Sequence, residues 1–382
     1  MKVQRLNPLS LSHAMQSIGV ENMGQKIMNK KTQIFGFEIK DLSFEAMNIL
    51  KQIALSAGGE CATPKGCITH KGEHIALLFG TQSQLEKMLP KLIMQPFGLK
   101  ALHKALQSHL APSPHSLAFA HQKAIMAIIN ITPDSFYAPS RQDTQGAIDR
   151  IHALMQKEVA IIDIGAASSR PGSEHINADE EMARLEPIIE YIATHKLYDT
   201  MCFSIDTYNP KTANYALSRG FKIINDVSGF SAPAMIEIAA QYKAQVILMH
   251  TKGTPKTMQN LTHTYTHLFN DIDTFFADKI TQLTQAGVKD IILDIGFGFA
   301  KNREQNIALI KHLSHFEHFG FPLLVGASRK NTIGEITNKP TCERLAGTLA
   351  LHLYALQNGA NILRIHDEDE HIDILRIYKE MQ

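Results

Sequence analysis

The sequence has few cysteines, no long apolar run and almost no net charge, and each shortage removes a class of protein. Four cysteines in 382 residues cannot make a disulfide framework. Cys61 and Cys67 lie close together in CATPKGC, but that spacing fits no usual zinc module, so both read as small buried or half-buried thiols. No stretch reaches the ~18 uninterrupted apolar residues of a membrane span, and the N-terminus lacks a signal-peptide pattern. The expected compartment is the cytoplasm, with no membrane partner. A net charge of +1 leaves no basic footprint for nucleic acid. Also missing are a Ser–His–Asp order, a phosphate-cradling glycine loop and a zinc-ligand pattern. GFGFAK is glycine-rich but follows a late strand, and reads as a flexible loop rather than a dinucleotide fingerprint. The nineteen histidines are scattered. His263 and His267 in HTYTH would share a helix face, yet no acidic general base stands between them, and they read as surface residues.

What is present describes an ordinary globular chain, 44% apolar and 20% charged. Its length predicts one large domain and a smaller one. From residue 124 onward, short β-branched runs recur: AIMAIINI, AIIDIGA, MCFSIDT, KIINDV, QVILMH, DIILDIG, LLVGAS and NILRIH. Helical patterns lie between them, several ending at glycine, as at Gly220, Gly287, Gly320 and Gly359, where a left-handed cap would stop a helix. This alternation predicts an α/β protein with a (β/α)8 barrel over 116–382. A doubly wound open sheet competes, but gives no reason for an eighth unit. Residues 1–115 lack the rhythm and predict a smaller α+β domain. IFGFEIKDL and HIALLFG read as strands there, FEAMNILKQIALSAGG as a helix capped at Gly58, and SQLEKMLPKLIM and LKALHKALQSHL as two more helices. APSPHS at 111–116 is the linker.

In such a barrel the active site forms at the C-terminal strand ends. Those ends carry Asn130, Asp163, Asp206, Asn225, Asp294, Lys330 and the pair Arg364 and His366, which share a strand face. One such residue is as easily a satisfied structural group as a functional one. Polar residues at most of eight ends are harder to dismiss, because unpaired buried charges cost kilocalories each. Asp206, Asn225 and Asp294 offer acceptors and amide donors for a nitrogen-rich heterocycle. Ser169, Arg170, Lys330, Arg364 and His366 offer donors and cations for a phosphate or carboxylate. Asn130 is a neutral oxygen suited to a magnesium held mostly by substrate.

The segments NITPDSF, SSRPG, SIDT, INDV, LMHTKGTPKTMQ, DIGFGFAKNREQN, LLVGASRKNTIGE, ERLAGT and ILRIHD, in this order over 124–367, resemble the bacterial dihydropteroate synthase family of folate biosynthesis. NILKQIALSAGGECATPKGCI and FGTQSQLEKML are similar to an N-terminal extension carried by some members. The resemblance implies a transferase joining 6-hydroxymethyl-7,8-dihydropterin diphosphate to p-aminobenzoate with release of diphosphate, and a sulfonamide target. It implies Asp206, Asn225, Asp294 and Lys330 at the pterin, and Asn130, Arg364 and His366 at the diphosphate, with Asn130 on Mg2+. Phe136, Ser169, Arg170, Pro171, Phe299 and Asn331 would belong to the aminobenzoate pocket and its mobile loops, Asn331 at a helix start that it can still cap. A homodimer through the helices of the last two units is also implied; ERLAGTLALHLYALQNG is apolar over an arc wide enough for core or interface.

Some positions depart from the family pattern. Ala138 stands where an acidic residue is usual, Ala167 where a glutamate is, and Ile295 where a proline is frequent. A pterin-dependent methyltransferase on a similar barrel is a second reading, opposed by SRK and RxH, since a methyl donor has no diphosphate to grip. A pterin-binding protein without turnover is a third, prompted by Ala138 and Ala167. The N-terminal domain reads as a second-site binder, an oligomer contact or a stabilising cap, with the cap preferred.

Overall fold

The structure is a computed structural model that describes residues 1–67, 74–111, 119, 122–131, 144–166, 177–254 and 257–381. The chain divides into two compact units, Met1–Ser113 and Pro114–Met381.

The first unit contains α1 (Leu11–Ser17), α2 (Asn22–Asn29), β1 (Ile34–Leu42), α3 (Phe44–Ser56), β2 (Glu60–Ala62), β3 (His74–Thr81), α4 (Gln82–Leu92) and α5 (Leu99–Leu110). Its strands form an antiparallel sheet in the order β1-β3-β2. Alternation along β3 buries Ala76, Leu78 and Gly80 and exposes Ile75, Leu77 and Phe79. Ser43 caps α3 by accepting from Ala46 N, and Met47, Leu50 and Ala54 of that helix enter a core shared with Leu78, Leu85, Met88 and Leu99. The strands and helices expected here all form. The sequence reading did not identify α1, α2 and β2. The first two bury no residue and the third is three residues long. Cys61 and Cys67 are free and buried.

The second unit alternates strand and helix: β4 (Ala124–Asn130), α6 (Thr144–Met155), β5 (Ile161–Gly165), α7 (Ala178–Thr194), β6 (Cys202–Asp206), α8 (Pro210–Leu217), β7 (Ile223–Asp226), α9 (Pro233–Tyr242), β8 (Gln245–Met249), α10 (Leu268–Gln285), β9 (Ile291–Asp294), α11 (Arg303–Lys311), β10 (Leu323–Val325), α12 (Asn331–Thr337), α13 (Leu345–Gln357), β11 (Ile362–Ile365) and α14 (Glu368–Glu380). All strand pairs are parallel, and β11 pairs with both β10 and β4, which closes the barrel and rules out the open sheet. Gly220, Gly287, Gly320 and Gly359 take φ of 97°, 97°, 74° and 103°, the left-handed caps expected of them, although Gly320 ends a 3-10 helix (Leu313–Phe319) rather than α11. His263 and His267 are exposed, but they precede α10 in irregular chain and share no helix face.

Strand alternation sorts the side chains into two cores. Ile125, Ala127, Ile162, Ile164, Phe203, Ile205, Leu248 and Leu293 point outward and pack against the helices. Met126, Ile161, Ile223, Ile247, Ile292, Leu324 and Ile362 point inward and form an apolar plug inside the barrel. The residue two places further along several of these strands is polar. Asp163, Asn225, Asp294 and Arg364 therefore stand one layer above the plug, towards the C-terminal end.

Candidate active site

The polar layer is a bonded network. Arg364 donates from Nε to Asp163 Oδ2 at 2.7 Å and from Nη2 to Asp206 Oδ2 at 2.6 Å. Asn225 Nδ2 donates to the same Asp163 oxygen at 3.0 Å. The guanidinium thus joins β5, β6 and β11, and Asn225 ties β7 to them through Asp163. Asp163 is fully buried, and its Oδ1 has no hydrogen-bond partner in the protein. Asn130 is level with Gly165, and Gly165 with Asp206. A Cβ at Gly165 would lie 3.1 Å from that of Asp206, so glycine keeps the space between Asn130 and Asp206 open.

Burial dominates the electrostatics of this layer, and the ion pairs oppose it. Burial pushes the Asp206 carboxyl up to about 7, opposed by the Arg364 guanidinium and reinforced by Asp163. Burial also raises the Asp294 carboxyl, with Lys330 opposing, and lowers the Lys330 amine to about 8, with Asp294 opposing. Lys330 is also within reach of the charges on Arg364 and Asp206, so the predicted pterin residues and Arg364 act on one another across one space. Lys330 Nζ donates to Phe297 O and sits 4.6 Å from the centre of the Phe299 ring. Phe299 joins Met249, Met258 and Ala300 in a small apolar cluster beside it. His366 shares a 3.0 Å hydrogen bond with Ser328 through Nδ1, linking the chain after β11 to the loop after β10.

GFGFAK is not the free loop its composition suggests. Lys301 is 4% exposed, and its Nζ donates to the carbonyls of His250, Gly296 and Phe299 at 3.3, 3.1 and 3.0 Å and sits 3.0 Å from His250 Nδ1. Burial lowers its amine to about 7, with Asp294 opposing. Gly296 has φ +65°, and a Cβ there would come within 1.9 Å of His250 O, so no other residue fits. Gly296 N donates to Asp294 Oδ1 at 2.8 Å, and Gly298 N to Asn306 Oδ1 at 2.7 Å. Asn302 and Gln305 then close a reciprocal capping box at the start of α11. The loop is pinned at both ends.

The structure brings together Asp206, Asn225, Asp294, Lys330, Arg364 and Phe299, with Asn130 and His366 at adjoining strand ends. Phe136, Ser169, Arg170 and Pro171 lie outside the described residues, as do Ala138 and Ala167. Asn331 does not cap α12. Lys330 is the N-cap, and Asn331 is the first helical residue, exposed, with its Oδ1 accepting from Arg344 at 3.1 Å. The sequence places Asp163 at a strand end but gives no sign of its role there. No local signal in the sequence marks Lys301 or Asn306 as supports of the glycine-rich loop.

Residues 126–366 match the family described as pterin binding enzyme. A bifunctional dihydropteroate synthase/dihydropteroate reductase from Helicobacter pylori is 51% identical over 100% of this chain and 99% of its own length. The Escherichia coli dihydropteroate synthase is 37% identical over 69% of this chain and 92% of its own. Among solved structures, the Yersinia pestis dihydropteroate synthase with a sulfonamide drug complex superposes with a TM-score of 0.65 at 34% identity, over 69% of this chain and 95% of that one. The Thermus thermophilus enzyme in complex with 4-aminobenzoate gives 0.61 at 30% identity, over 69% and 96%. This chain belongs to the pterin-binding enzyme family, as one of its bacterial dihydropteroate synthases.

Proposed function

We infer that the barrel joins 6-hydroxymethyl-7,8-dihydropterin diphosphate to p-aminobenzoate, forming 7,8-dihydropteroate and diphosphate in folate biosynthesis. The observation that carries the reading is the Asp163–Asn225–Asp206–Arg364 layer above an apolar plug. It gathers carboxylate acceptors and an amide donor in one layer, a set that suits the edge of a pterin.

In this reading Asp206, Asn225 and Asp294 hydrogen-bond the ring edge, while Lys330 lies over it. The carbon–oxygen bond at the pterin methylene breaks, its electron pair leaving with diphosphate. The aminobenzoate nitrogen lone pair then forms the new carbon–nitrogen bond and the amine sheds a proton. The amine attacks as a neutral group, so no nucleophilic side chain or strong base is needed. The enzyme instead has to stabilise charge at both ends of the breaking bond. Arg364, with Nε and Nη2 held by carboxylates, has Nη1 for the departing oxyanion, next to His366. Buried Asp294 favours positive charge developing on the ring. Phe299, in its apolar cluster, is a wall for the aminobenzoate, and Asn331, Phe136, Ser169, Arg170 and Pro171 complete that pocket. Sulfonamides, bound by the Yersinia pestis relative, would compete there.

The family implies a magnesium ion. The neutral side-chain oxygen of Asn130, with no thiolate beside it, suits a hard cation bound largely through diphosphate oxygens. Bound there, the ion would neutralise charge on the leaving group. Chelation should therefore slow diphosphate release without unfolding the protein; unchanged rates would remove the ion from the reading. We place the protein in the cytoplasm, on the absence among the described residues of any helix able to cross a membrane. Fractionation with the envelope would overturn that. We also propose a homodimer through the outer face of α13, where Ala346, Ala350 and Tyr354 are exposed. A monomer mass in sedimentation would remove it.

The decisive assay is diphosphate release by the full chain given both substrates, beside a chain beginning near residue 115. No release from the full chain would favour a pterin binder without turnover. The Helicobacter pylori relative is also named a dihydropteroate reductase, and it matches this chain through the N-terminal unit, which has its own core. We propose that this unit serves a second step, addition of two hydrogens to 7,8-dihydropteroate. The full chain, supplied with a reduced nicotinamide or flavin, should then form tetrahydropteroate while the shortened one does not. Equal synthase activity and no reduction by either would leave the unit as a cap.

Asp206→Ala should weaken pterin binding by ~10–100-fold, the value of a hydrogen bond to a charged group. The carboxylate accepts from the ring, so its ionised form is the one that binds. With its pKa near 7, affinity should be flat above about pH 7 and fall about tenfold per unit below it. Calorimetric titration in parent and Asp206→Asn proteins checks this; the same pH profile in both would remove Asp206 from the ring edge.

A further inference from the structure

A second cluster lies in the helical layer, away from the strand ends. The sequence repeats histidine every third position at His312, His315 and His318, and the segment Leu313–Phe319 is a 3-10 helix. Three residues per turn put residues three apart directly above one another, so His315 and His318 fall on one side. Opposite them, on α10, is Asp273. His315 Nε2 lies 2.9 Å from Asp273 Oδ2, and His318 Nε2 lies 3.8 Å from Asp273 Oδ1. One ligand atom from each residue falls within 4.8 Å of the others.

Two details distinguish this cluster from an ordinary histidine–carboxylate hydrogen bond. Asp273 Oδ1 is buried with no hydrogen-bond partner, although the side chain as a whole is 28% exposed. His318 Nδ1 is 2.6 Å from His315 O, so Nδ1–H donates to that carbonyl and Nε2 is left turned towards Asp273. A backbone carbonyl fixing the far nitrogen is the usual support of a metal-bound imidazole. The rings of Phe269 and Phe316 pack at 5.2 and 5.0 Å from His315, giving an apolar wall on one side.

We propose that Asp273, His315 and His318 form a binding site for a late first-row divalent metal, zinc by preference, that clips α10 to the segment leading into β10. Two imidazoles and one carboxylate exclude magnesium and calcium, which take oxygen, and match a tetrahedral zinc site with the fourth position open to solvent. The site is independent of the barrel chemistry.

The test uses the full chain without a histidine tag, stripped by chelator. Cobalt(II) titration should give the visible absorption of a tetrahedral site, saturating at one ion per chain and bleached by zinc. Zinc should raise the melting temperature of the parent protein. Asp273→Asn and His318→Gln should each weaken cobalt binding at least ~10-fold and abolish the zinc-dependent shift. If one variant does not fold, the other carries the comparison. Absence of the cobalt spectrum in the parent, or binding unchanged in a folded variant, would overturn the site and leave a hydrogen-bonded triad only.

Discussion

Arg364→Ala is expected to lower kcat/KM at least ~100-fold and to destabilise the protein by about 3–5 kcal/mol. The two losses have different causes. Catalysis loses the cation facing the leaving diphosphate. Stability loses the cation shared by two buried carboxylates, Asp163 at 0% and Asp206 at 9% side-chain exposure. Lysine should not restore either, because one ammonium cannot reproduce the paired Nε and Nη2 contacts. The stability loss carries a pH signature. The Asp206 carboxyl is raised in the folded state, so the folded protein binds more protons than the unfolded chain between about pH 4 and 7, and stability falls as pH rises through that range. Without the guanidinium the carboxyl rises further. The deficit of the variant should therefore narrow as pH falls from the variant's still higher value to about 7, and level off below it. Denaturant unfolding at several pH values, beside steady-state kinetics, measures both. A variant with near-parental turnover would remove Arg364 from the chemistry. One equally destabilised at all pH values would show that the carboxylates are satisfied in another way.

The sequence showed most of this layer because strand alternation is a local rule. Once β4 to β11 were marked by their β-branched runs, the polar residue at each end had to point inward or outward. Only the inward choice puts Ile161, Ile223 and Ile362 in the plug. Which residue would pair with which could not be read, since Arg364 and Asp163 are 201 positions apart. The sequence divides the layer into a carboxylate end and a cationic end, but the fold does not keep them apart: Arg364 sits among the carboxylates. Asn331 illustrates a different limit. Asn is a good helix cap, but a cap requires extended backbone dihedrals, and here Lys330 has them. Lys301 was hidden by its type. A lysine in a glycine-rich loop is normally solvated, and nothing local indicated that the carbonyls of His250, Gly296 and Phe299 would gather round its amine.

That amine underlies the other large prediction. Lys301→Met keeps the apolar stem and removes the donor, leaving the carbonyls of His250, Gly296 and Phe299 without it. Each buried acceptor stripped of its partner costs about 1–3 kcal/mol, partly recovered because no charge then has to be buried. A net loss of about 3 kcal/mol is expected. The loop should suffer more than the global fold, because Lys301 ties the end of β8 to the turn that carries Asp294 and Phe299, and Gly296 already lies against His250 O with no space to yield. Lys301 faces backbone rather than ligand, so it acts by positioning, and the kinetic loss should be large for a residue outside the pocket, ~100-fold in kcat/KM. Part of that loss should appear as weaker pterin binding through Asp294, and part as a raised KM for aminobenzoate through Phe299. Arginine is too large for the enclosure and should not rescue. Unfolding curves, pterin titration and KM values for both substrates, measured on the same preparation, separate these effects. A stable variant with parental KM values would mean that the glycine-rich loop holds its shape without the buried lysine.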